Sequence, residues 1–98
     1  MEQTIKIEQF LDADGKIAQY PRKLNAKLAV LAYLADKFEF GRFYSQKEVN
    51  LLCEQWHTFS DFPLLRRELV DFGFLDRERD GSRYWRVDPP RTAEENEG

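Results

Sequence analysis

The stretch from residue 62 to residue 75 constrains the fold most, because it has the pattern of a short helix that runs through a glycine directly into a strand. Its apolar residues recur at steps of three, four and three, which is the spacing of one helical face: Phe62, Leu65, Leu69 and Phe72. Gly73 follows at the point where helices often end in a residue with positive φ, a conformation that glycine adopts without steric cost. The pattern therefore predicts a helix that stops before Gly73 and a strand that begins at Phe74.

The residues after this helix predict a β-hairpin. A two-residue turn at residues 80–81 would pair Arg79 with Ser82 and, farther from the turn, Arg77 with Tyr84. Because side chains alternate across a two-stranded ribbon, one face is predicted to carry Leu75, Arg77, Arg79, Tyr84 and Arg86. The opposite face carries Phe74, Asp76, Glu78, Arg83, Trp85 and Val87. Helix, glycine, strand, turn and strand is the order in which a winged-helix domain ends, so the hairpin is the predicted wing.

Two more helices are predicted before this unit. Ser45 followed three residues later by Glu48 is a capping box, which places the start of a second helix at residue 46 and its end at about residue 56. Ser60 or Asp61 is the predicted cap of the third helix, with Pro63 tolerated in its first turn. Apolar spacing predicts the first helix from residue 22 or 23 to residue 38.

The first helix is apolar on two sides. Val30 and Leu34 form the second apolar strip, and a helix of this kind is buried on two sides. One interpretation is that an N-terminal arm carrying Ile5, Ile7 and Phe10 covers this strip. The other is that the strip forms the seam of a homodimer.

The N-terminal segment is predicted to contain short strands, although residues 4–11 could instead be an arm packed on the body. Residues 4–11 alternate apolar and polar side chains, residues 12–15 carry a turn signal, and residues 16–20 read as an extended piece that Pro21 ends. The turn contains the D-x-D-G string of a calcium loop, but Lys16 and Lys23 occupy positions where such a loop needs acidic or other oxygen ligands. We therefore expect a plain turn and no metal at this place.

Charge and composition limit the partners. Residues 88–98 hold four acidic residues and one arginine, so the net charge of −3 belongs to this tail and residues 1–87 carry 14 basic against 14 acidic side chains. A neutral body has no general attraction for nucleic acid, so any DNA contact must come from a local patch. We expect residues 1–87 to form one domain and the acidic tail to be disordered.

The single cysteine, the lack of a signal-peptide pattern at the N-terminus and the lack of a long apolar run predict a cytoplasmic protein without a membrane partner. Catalysis has little support. Cys53 and His57 stand four residues apart, but two such groups are too few for a structural zinc site, and Cys53 shares an apolar stripe with Val49 and Trp56. Phosphate-loop, nucleophile-elbow and dinucleotide motifs are absent from the sequence. We therefore predict no enzyme activity and no cofactor.

Several strings resemble a known bacterial family. They are Phe10-Leu11-Asp12-x-Asp14-Gly15-Lys16-Ile17, Tyr20-Pro21-Arg22-Lys23, Leu64-Leu65-Arg66-Arg67-Glu68-Leu69-Val70-Asp71-x-Gly73-Phe74-Leu75 and Gly81-Ser82-x-Tyr84-Trp85-Arg86. Over residues 8–87 the chain resembles the domain of unknown function 2087, which occurs alone or attached to helix-turn-helix regulators of the arsenic-repressor type. Residues 69–87 also resemble the end of the arsenic-repressor winged helix. The resemblance implies a winged-helix fold and a role connected with transcription, and it supplies no catalytic or binding residues.

The third helix is a poor candidate for reading bases in the major groove. Stepping 100° per residue from its buried face turns five residues outward, namely Pro63, Leu64, Arg67, Glu68 and Asp71. One basic side chain against two acidic ones is an unfavourable surface for the phosphates of DNA. The wing is a better candidate, because Arg77, Arg79 and Arg86 surround Tyr84 without an acidic neighbour on that face. Two interpretations stay open: this face binds phosphates, or it covers the core with its arginine stems lying flat.

A second basic cluster stands at the start of the first helix, at Arg22, Lys23 and Lys27. Positive charge there opposes the helix dipole, so either an anion docks at the helix N-terminus or the side chains are simply solvated.

Together these observations predict an α+β, winged-helix-like domain with three helices, a two-stranded wing and short N-terminal strands. The leading hypothesis is a non-enzymatic, transcription-related regulatory module that binds DNA weakly through the wing and the start of helix 1: Arg77, Arg79, Arg83, Tyr84, Arg86, Arg22, Lys23 and Lys27. The alternative is a protein-interaction or dimerisation module, whose partner is a regulatory protein or a second copy and whose contact points are Val30, Leu34, Leu51 and Leu64.

Overall fold

The structure is a computed structural model that describes residues 6–87. It consists of three helices followed by a hairpin. A short 3-10 helix, Ile7–Phe10, comes first. The remaining elements are α1 (Leu24–Ala35), α2 (Gln46–Gln55), α3 (Phe62–Asp71), β1 (Leu75–Arg77) and β2 (Tyr84–Arg86). Residues 1–5 and 88–98, which include Ile5 of the predicted arm and the predicted acidic tail, lie outside the described residues.

The hairpin has the predicted register but a wider turn. β1 and β2 are antiparallel and pair Leu75 with Arg86 and Arg77 with Tyr84, as predicted. The predicted two-residue turn is wrong. The amide of Gly81 donates to the carbonyl of Glu78 at 2.9 Å, so the turn already begins at Glu78 and residues 79 and 82 belong to it instead of pairing. The Asp80 carboxylate also accepts the Ser82 amide at 2.9 Å and so stabilises this wider turn.

A third extended segment pairs with the two-stranded sheet at a single residue. Tyr44, between α1 and α2, donates its amide to the carbonyl of Tyr84 at 2.8 Å and accepts the amide of Tyr84 at 2.7 Å. The order of three helices, an intervening strand segment and a hairpin confirms the predicted α+β, winged-helix-like fold.

Local signals mark both ends of α3 and the start of α2. Ser45 and Glu48 form the predicted capping box in both directions. Asp61, one of the two candidate caps, accepts the amide of Leu64 at 3.3 Å. At the other end of α3, Gly73 has φ of 83°. The amide of the following Phe74 reaches back to the carbonyl of Leu69 at 2.8 Å, which is the long bond of a Schellman motif.

The core lies between the three helices and the hairpin, and it corrects two expectations about α1. Val30 and Leu34 are both 0% exposed, so they are not available as contact points for a partner. Leu24, the first residue of α1, is 52% exposed. α1 ends at Ala35 rather than residue 38, and tighter turn bonds then bring Phe38 into the core.

The N-terminal segment packs on the body, which was one of its two predicted forms, but it is not a strand. Residues 7–10 form a 3-10 helix instead of a strand, and this helix packs against α1 with Ile7 and Phe10 partly buried on the core. The extended piece that follows is confirmed at Ile17. Its amide donates to the carbonyl of Trp56 at 2.7 Å, and its carbonyl accepts the amide of Thr58 at 3.0 Å. The arm is therefore hydrogen-bonded to the turn between α2 and α3.

Candidate nucleic-acid interface

A cleft of about 290 Å³ lies where α3, the start of α2 and the hairpin meet. We call it the α3–hairpin cleft. Its lining residues are Gln46, Arg66, Arg67, Val70, Asp71, Arg77 and Tyr84. The side chains come from three elements that are far apart in sequence, so the winged-helix packing assembles this surface.

The α3–hairpin cleft has an excess of positive charge. Arg66, Arg67 and Arg77 line it against the single carboxylate of Asp71. The Arg66 guanidinium donates to the side-chain oxygen of Asn50 on α2, which fixes its position. Arg67 and Arg77 are exposed, and no ion pair involves either of them within residues 6–87. The cleft therefore presents guanidinium groups that remain able to meet an anion.

The floor and rim of the cleft are polar. The Tyr84 ring is buried, and its hydroxyl lies 3.4 Å from the side-chain oxygen of Gln46. The Arg77 side chain is held near the hairpin tip, because its Nη1 donates to the carbonyls of Glu78 and Arg79 at 3.3 Å each. Since Gln46 is the first residue of α2, the positive end of that helix dipole adds to the field at the cleft.

One of the two acids expected on the outer surface of α3 is engaged elsewhere. The Glu68 side chain is 18% exposed, and its Oε1 lies 3.6 Å from the Lys27 ammonium. The same oxygen accepts a 2.5 Å hydrogen bond from the Tyr20 hydroxyl. Burial, together with this bond to Glu68, raises the pKa of Tyr20 well above its ordinary value. The prediction of one basic and two acidic side chains on the outer face of α3 is therefore corrected to one of each, Arg67 and Asp71.

The predicted wing residues do not form one surface. Tyr84 packs into the core together with Leu75, so the interpretation that this face covers the core holds for Tyr84. Arg86 donates to the carbonyl of Phe38 at 3.0 Å and pairs with Asp36 at 3.2 Å, which ties β2 to the end of α1.

Arg83 is paired with Glu78 at 2.6 Å, on the side of the hairpin away from the cleft. Within the predicted wing set, only Arg77 lines the α3–hairpin cleft as an exposed cation, and Arg79 stands exposed at the hairpin tip.

The basic cluster at the start of helix 1 is also divided. Arg22 and Lys23 are exposed, and Lys23 is the N-cap residue without a side-chain cap bond. Lys27 is 23% exposed, and its ammonium is held by Glu68 and lies 5.5 Å from the centre of the Tyr20 ring. Lys27 therefore stabilises the contact of α1 with α3, and only Arg22 and Lys23 remain at the solvent.

Cys53 and His57 have structural roles. The thiol is fully buried, and burial raises its pKa to about 12, so it stays protonated near neutral pH. His57 contacts the backbone: its Nδ1 lies 2.6 Å from the carbonyl oxygen of Cys53, and its Nε2 accepts the amide of Asp61 at 2.8 Å. In the part of the chain that the structure describes, no group of three or more His, Cys, Asp or Glu residues is placed to hold a metal ion.

The remaining predicted contact points are Leu51, which is 55% exposed on α2, and Leu64, which is partly buried. Sequence reasoning missed Arg66 and Gln46 as members of the cleft. By helical position Arg66 stands at the edge of the buried face of α3, from which its side chain can reach outward, although it was not among the predicted binding residues. Gln46 has no such signal, because its neighbours Tyr84 and Arg77 come from the hairpin.

Comparison with known proteins gives a family match only. A family model described as "Uncharacterized protein conserved in bacteria (DUF2087)" matches residues 16–86. No curated protein and no solved structure matches the chain. In addition, no helix within residues 6–87 is long and apolar enough to cross a membrane.

Proposed function

We propose, from the premise that this chain belongs to the DUF2087 family of uncharacterised bacterial proteins, that it is a non-enzymatic regulatory module connected with transcription. In this proposal the domain binds nucleic acid weakly through the α3–hairpin cleft. The observation that carries the proposal is the convergence of Arg66, Arg67 and Arg77 on one cleft that holds a single carboxylate. The resemblance of residues 69–87 to the arsenic-repressor winged helix supports the connection with transcription.

The chemistry of the cleft suits phosphates. A guanidinium group presents a planar set of N–H donors that matches phosphate oxygens, and it keeps its charge at any physiological pH. Binding of a polyanion releases counterions, and the affinity then falls with salt at a slope of about −0.9 per neutralised phosphate. For two or three phosphates, raising the salt from about 50 mM to 200 mM is expected to weaken binding by about 10- to 40-fold.

The same surface offers little for reading base edges. Around Arg67, the outer face of α3 presents Pro63, Leu64 and Asp71, of which none is a favoured donor to purine edges. Contacts to the backbone position a protein without specifying a sequence. We therefore expect weak affinity with little sequence preference from one copy of the domain.

An amide chemical-shift titration of the labelled protein with mixed-sequence duplex DNA, at about 50 mM and 200 mM salt, tests the proposal. Shifts are expected around Gln46, residues 66–71 and Arg77, and they should fade at the higher salt. The double variant Arg67→Ala with Arg77→Ala should lose binding. Its matched control is Arg22→Ala with Lys23→Ala, which removes the same charge from exposed positions at the start of α1.

If both double variants bind equally well, the cleft assignment is wrong. Equal loss in both would mean that only net charge matters, which also contradicts a local site. Shifts centred on residues 20–27 would move the binding site to the start of α1.

A second candidate function is a protein-interaction module on the same scaffold. It is favoured by two large apolar side chains, Phe43 and Leu51, which are both more than half exposed. This surface is separate from the α3–hairpin cleft, so the two functions are compatible.

A further inference from the structure

Aromatic side chains gather on the outer side of the hairpin and of the segment before α2. Phe43 is 56% exposed, and its ring packs edge-to-face on the partly buried Trp85 with the ring centres 5.7 Å apart. Phe40 is 50% exposed and contacts Arg86, which lines the same depression as Phe43 and Trp85. We call these three residues, with Arg42, Arg83 and Arg86, the hairpin aromatic surface. A depression of about 390 Å³ runs along it, lined by Gly41, Arg42, Phe43, Glu78, Trp85 and Arg86.

This apolar surface extends towards α2. A neighbouring depression of about 260 Å³ shares Arg42 with the first one and has Leu51 on its wall. Exposed apolar side chains are ordinary when they are scattered, but contiguous ones mark interaction sites. Aromatic and arginine side chains are also enriched at the centres of protein–protein interfaces. The composition of the surface therefore suits a protein partner.

Each arginine of the surface has its own carboxylate. Arg83 pairs with Glu78 at 2.6 Å, and its guanidinium lies 4.6 Å from the centre of the Phe43 ring. Arg86 pairs with Asp36 at 3.2 Å, and its guanidinium lies 4.0 Å from the centre of the Phe40 ring.

Arg42 pairs with Glu48 at 3.6 Å. The charges of these three pairs cancel, so the surface has no net field that would select a polyanion. Nucleic acid would also meet the exposed carboxylates of Glu48 and Glu78.

We propose that a second copy of this chain docks on the hairpin aromatic surface and forms a two-fold symmetric dimer. In such an interface the same patch faces itself, so its rim must be complementary to its own charges. The rim pairs Arg83–Glu78 and Arg42–Glu48 meet this condition, because each presents one charge of either sign with side chains that are 40–51% exposed. An arginine of one copy can therefore face a carboxylate of the other around an aromatic centre.

The geometry also indicates where the symmetry axis passes. Phe43 is the most exposed large aromatic of the surface, directly follows Arg42 of one rim pair, and has the Arg83 guanidinium of the other 4.6 Å from its ring centre. The proposed dimer therefore places Phe43 near the two-fold axis, where it meets the same region of the second copy. This arrangement would also bring two α3–hairpin clefts into one particle, although the dimer does not depend on nucleic-acid binding.

Sedimentation equilibrium of the full chain from about 1 µM to 500 µM tests the dimer. The weight-average mass should rise with concentration from 11.7 kDa towards twice that value. Phe43→Ser should raise the dimer dissociation constant at least ~10-fold, as loss of a central aromatic anchor does. Leu24→Ser is the matched control, because Leu24 is similarly exposed (52%) but stands at the start of α1. Circular dichroism would verify that both variants are folded.

A cross-link provides an independent readout. The chain has one cysteine, and Cys53 is buried, so Arg42→Cys introduces a single accessible thiol beside Phe43 and leaves the aromatic anchor in place. Mild oxidation should convert this variant to a disulfide-linked dimer much faster than the Leu24→Cys control.

A mass of 11.7 kDa at every concentration would overturn the proposal. Equal dimerisation of Phe43→Ser and wild type would overturn it too, as would equal cross-linking of the two cysteine variants. Amide shifts of Phe43 and Trp85 on adding DNA to a monomeric protein would assign the surface to nucleic acid instead. Arg67→Ala with Arg77→Ala should leave the dimer unchanged, so failure of the cleft and failure of the dimer are distinguishable.

Discussion

Replacing His57 with phenylalanine should strongly destabilise the domain, although the change keeps a ring of similar size. His57 is 5% exposed and joins the end of α2 to the start of α3 through two backbone contacts. These are the 2.6 Å contact of Nδ1 with the carbonyl of Cys53 and the 2.8 Å bond from the amide of Asp61 to Nε2. Phenylalanine can make neither bond, while it retains the edge-to-face contact with Phe59, whose ring centre lies 4.5 Å away.

The magnitude follows from the buried groups that lose their partner. A buried donor or acceptor left unsatisfied costs about 1–3 kcal/mol. The carbonyl of Cys53 keeps a weaker bond from the amide of Trp56 at 3.3 Å, so the Asp61 amide contributes the larger part. We expect a loss of about 2–4 kcal/mol in the free energy of unfolding, which lowers the Tm on the order of 10–30 °C for a domain of this size.

Urea unfolding followed by tryptophan fluorescence and circular dichroism measures this loss. The midpoint should fall while the slope with denaturant stays unchanged, because a similar surface is exposed on unfolding. Thr58→Ala is a control at the neighbouring exposed position and should change stability by less than about 0.5 kcal/mol. Hydrogen exchange of the Asp61 amide should accelerate in His57→Phe. A midpoint within error of wild type would refute the reasoning that these two bonds hold the α2–α3 turn.

Four further outcomes follow from three single residues. Because burial raises the pKa of the Cys53 thiol to about 12 from 9.0, the native thiol should resist a disulfide reagent near pH 8 until urea unfolds the chain; prompt labelling would contradict its burial. The native state also keeps the thiol proton to higher pH than the unfolded chain, so the free energy of unfolding should fall as the pH rises from 9.0 towards about 12, as urea midpoints at the two pH values would show. Gly73→Ala should cost about 1 kcal/mol, since the residue has φ of 83° and the smaller freedom of alanine in the unfolded chain offsets part of the steric cost; an unchanged urea midpoint would mean that α3 can end in another way. Ser60 has φ of 58°, so Ser60→Gly should stabilise the domain by about 0.5 kcal/mol once the extra freedom of glycine in the unfolded chain is subtracted, and a lower thermal midpoint would count against strain at this position.

The parts of the fold that the sequence predicted are those that depend on near neighbours. The Ser45 capping box joins groups three residues apart, and Gly73 ends α3 through bonds within the same turn. The hairpin register follows from alternation and from where the turn residues stand, so it was correct even though the turn itself is wider than predicted. The width of the turn depends on the hydrogen bond from the Ser82 amide to the Asp80 carboxylate. The alternation of side chains does not predict this bond.

Tertiary packing decided which charged side chains remain available. By helical position alone Glu68 faces outward, yet Lys27 and Tyr20, distant along the chain, hold it at the contact of α1 with α3. Arg86 belongs to the basic face of the wing by alternation, but its partners Asp36 and Phe38 lie about fifty residues earlier in the chain. Because an ion pair depends on the distance between its charges in space, the sequence determined which charges exist and the fold determined which of them a partner can reach.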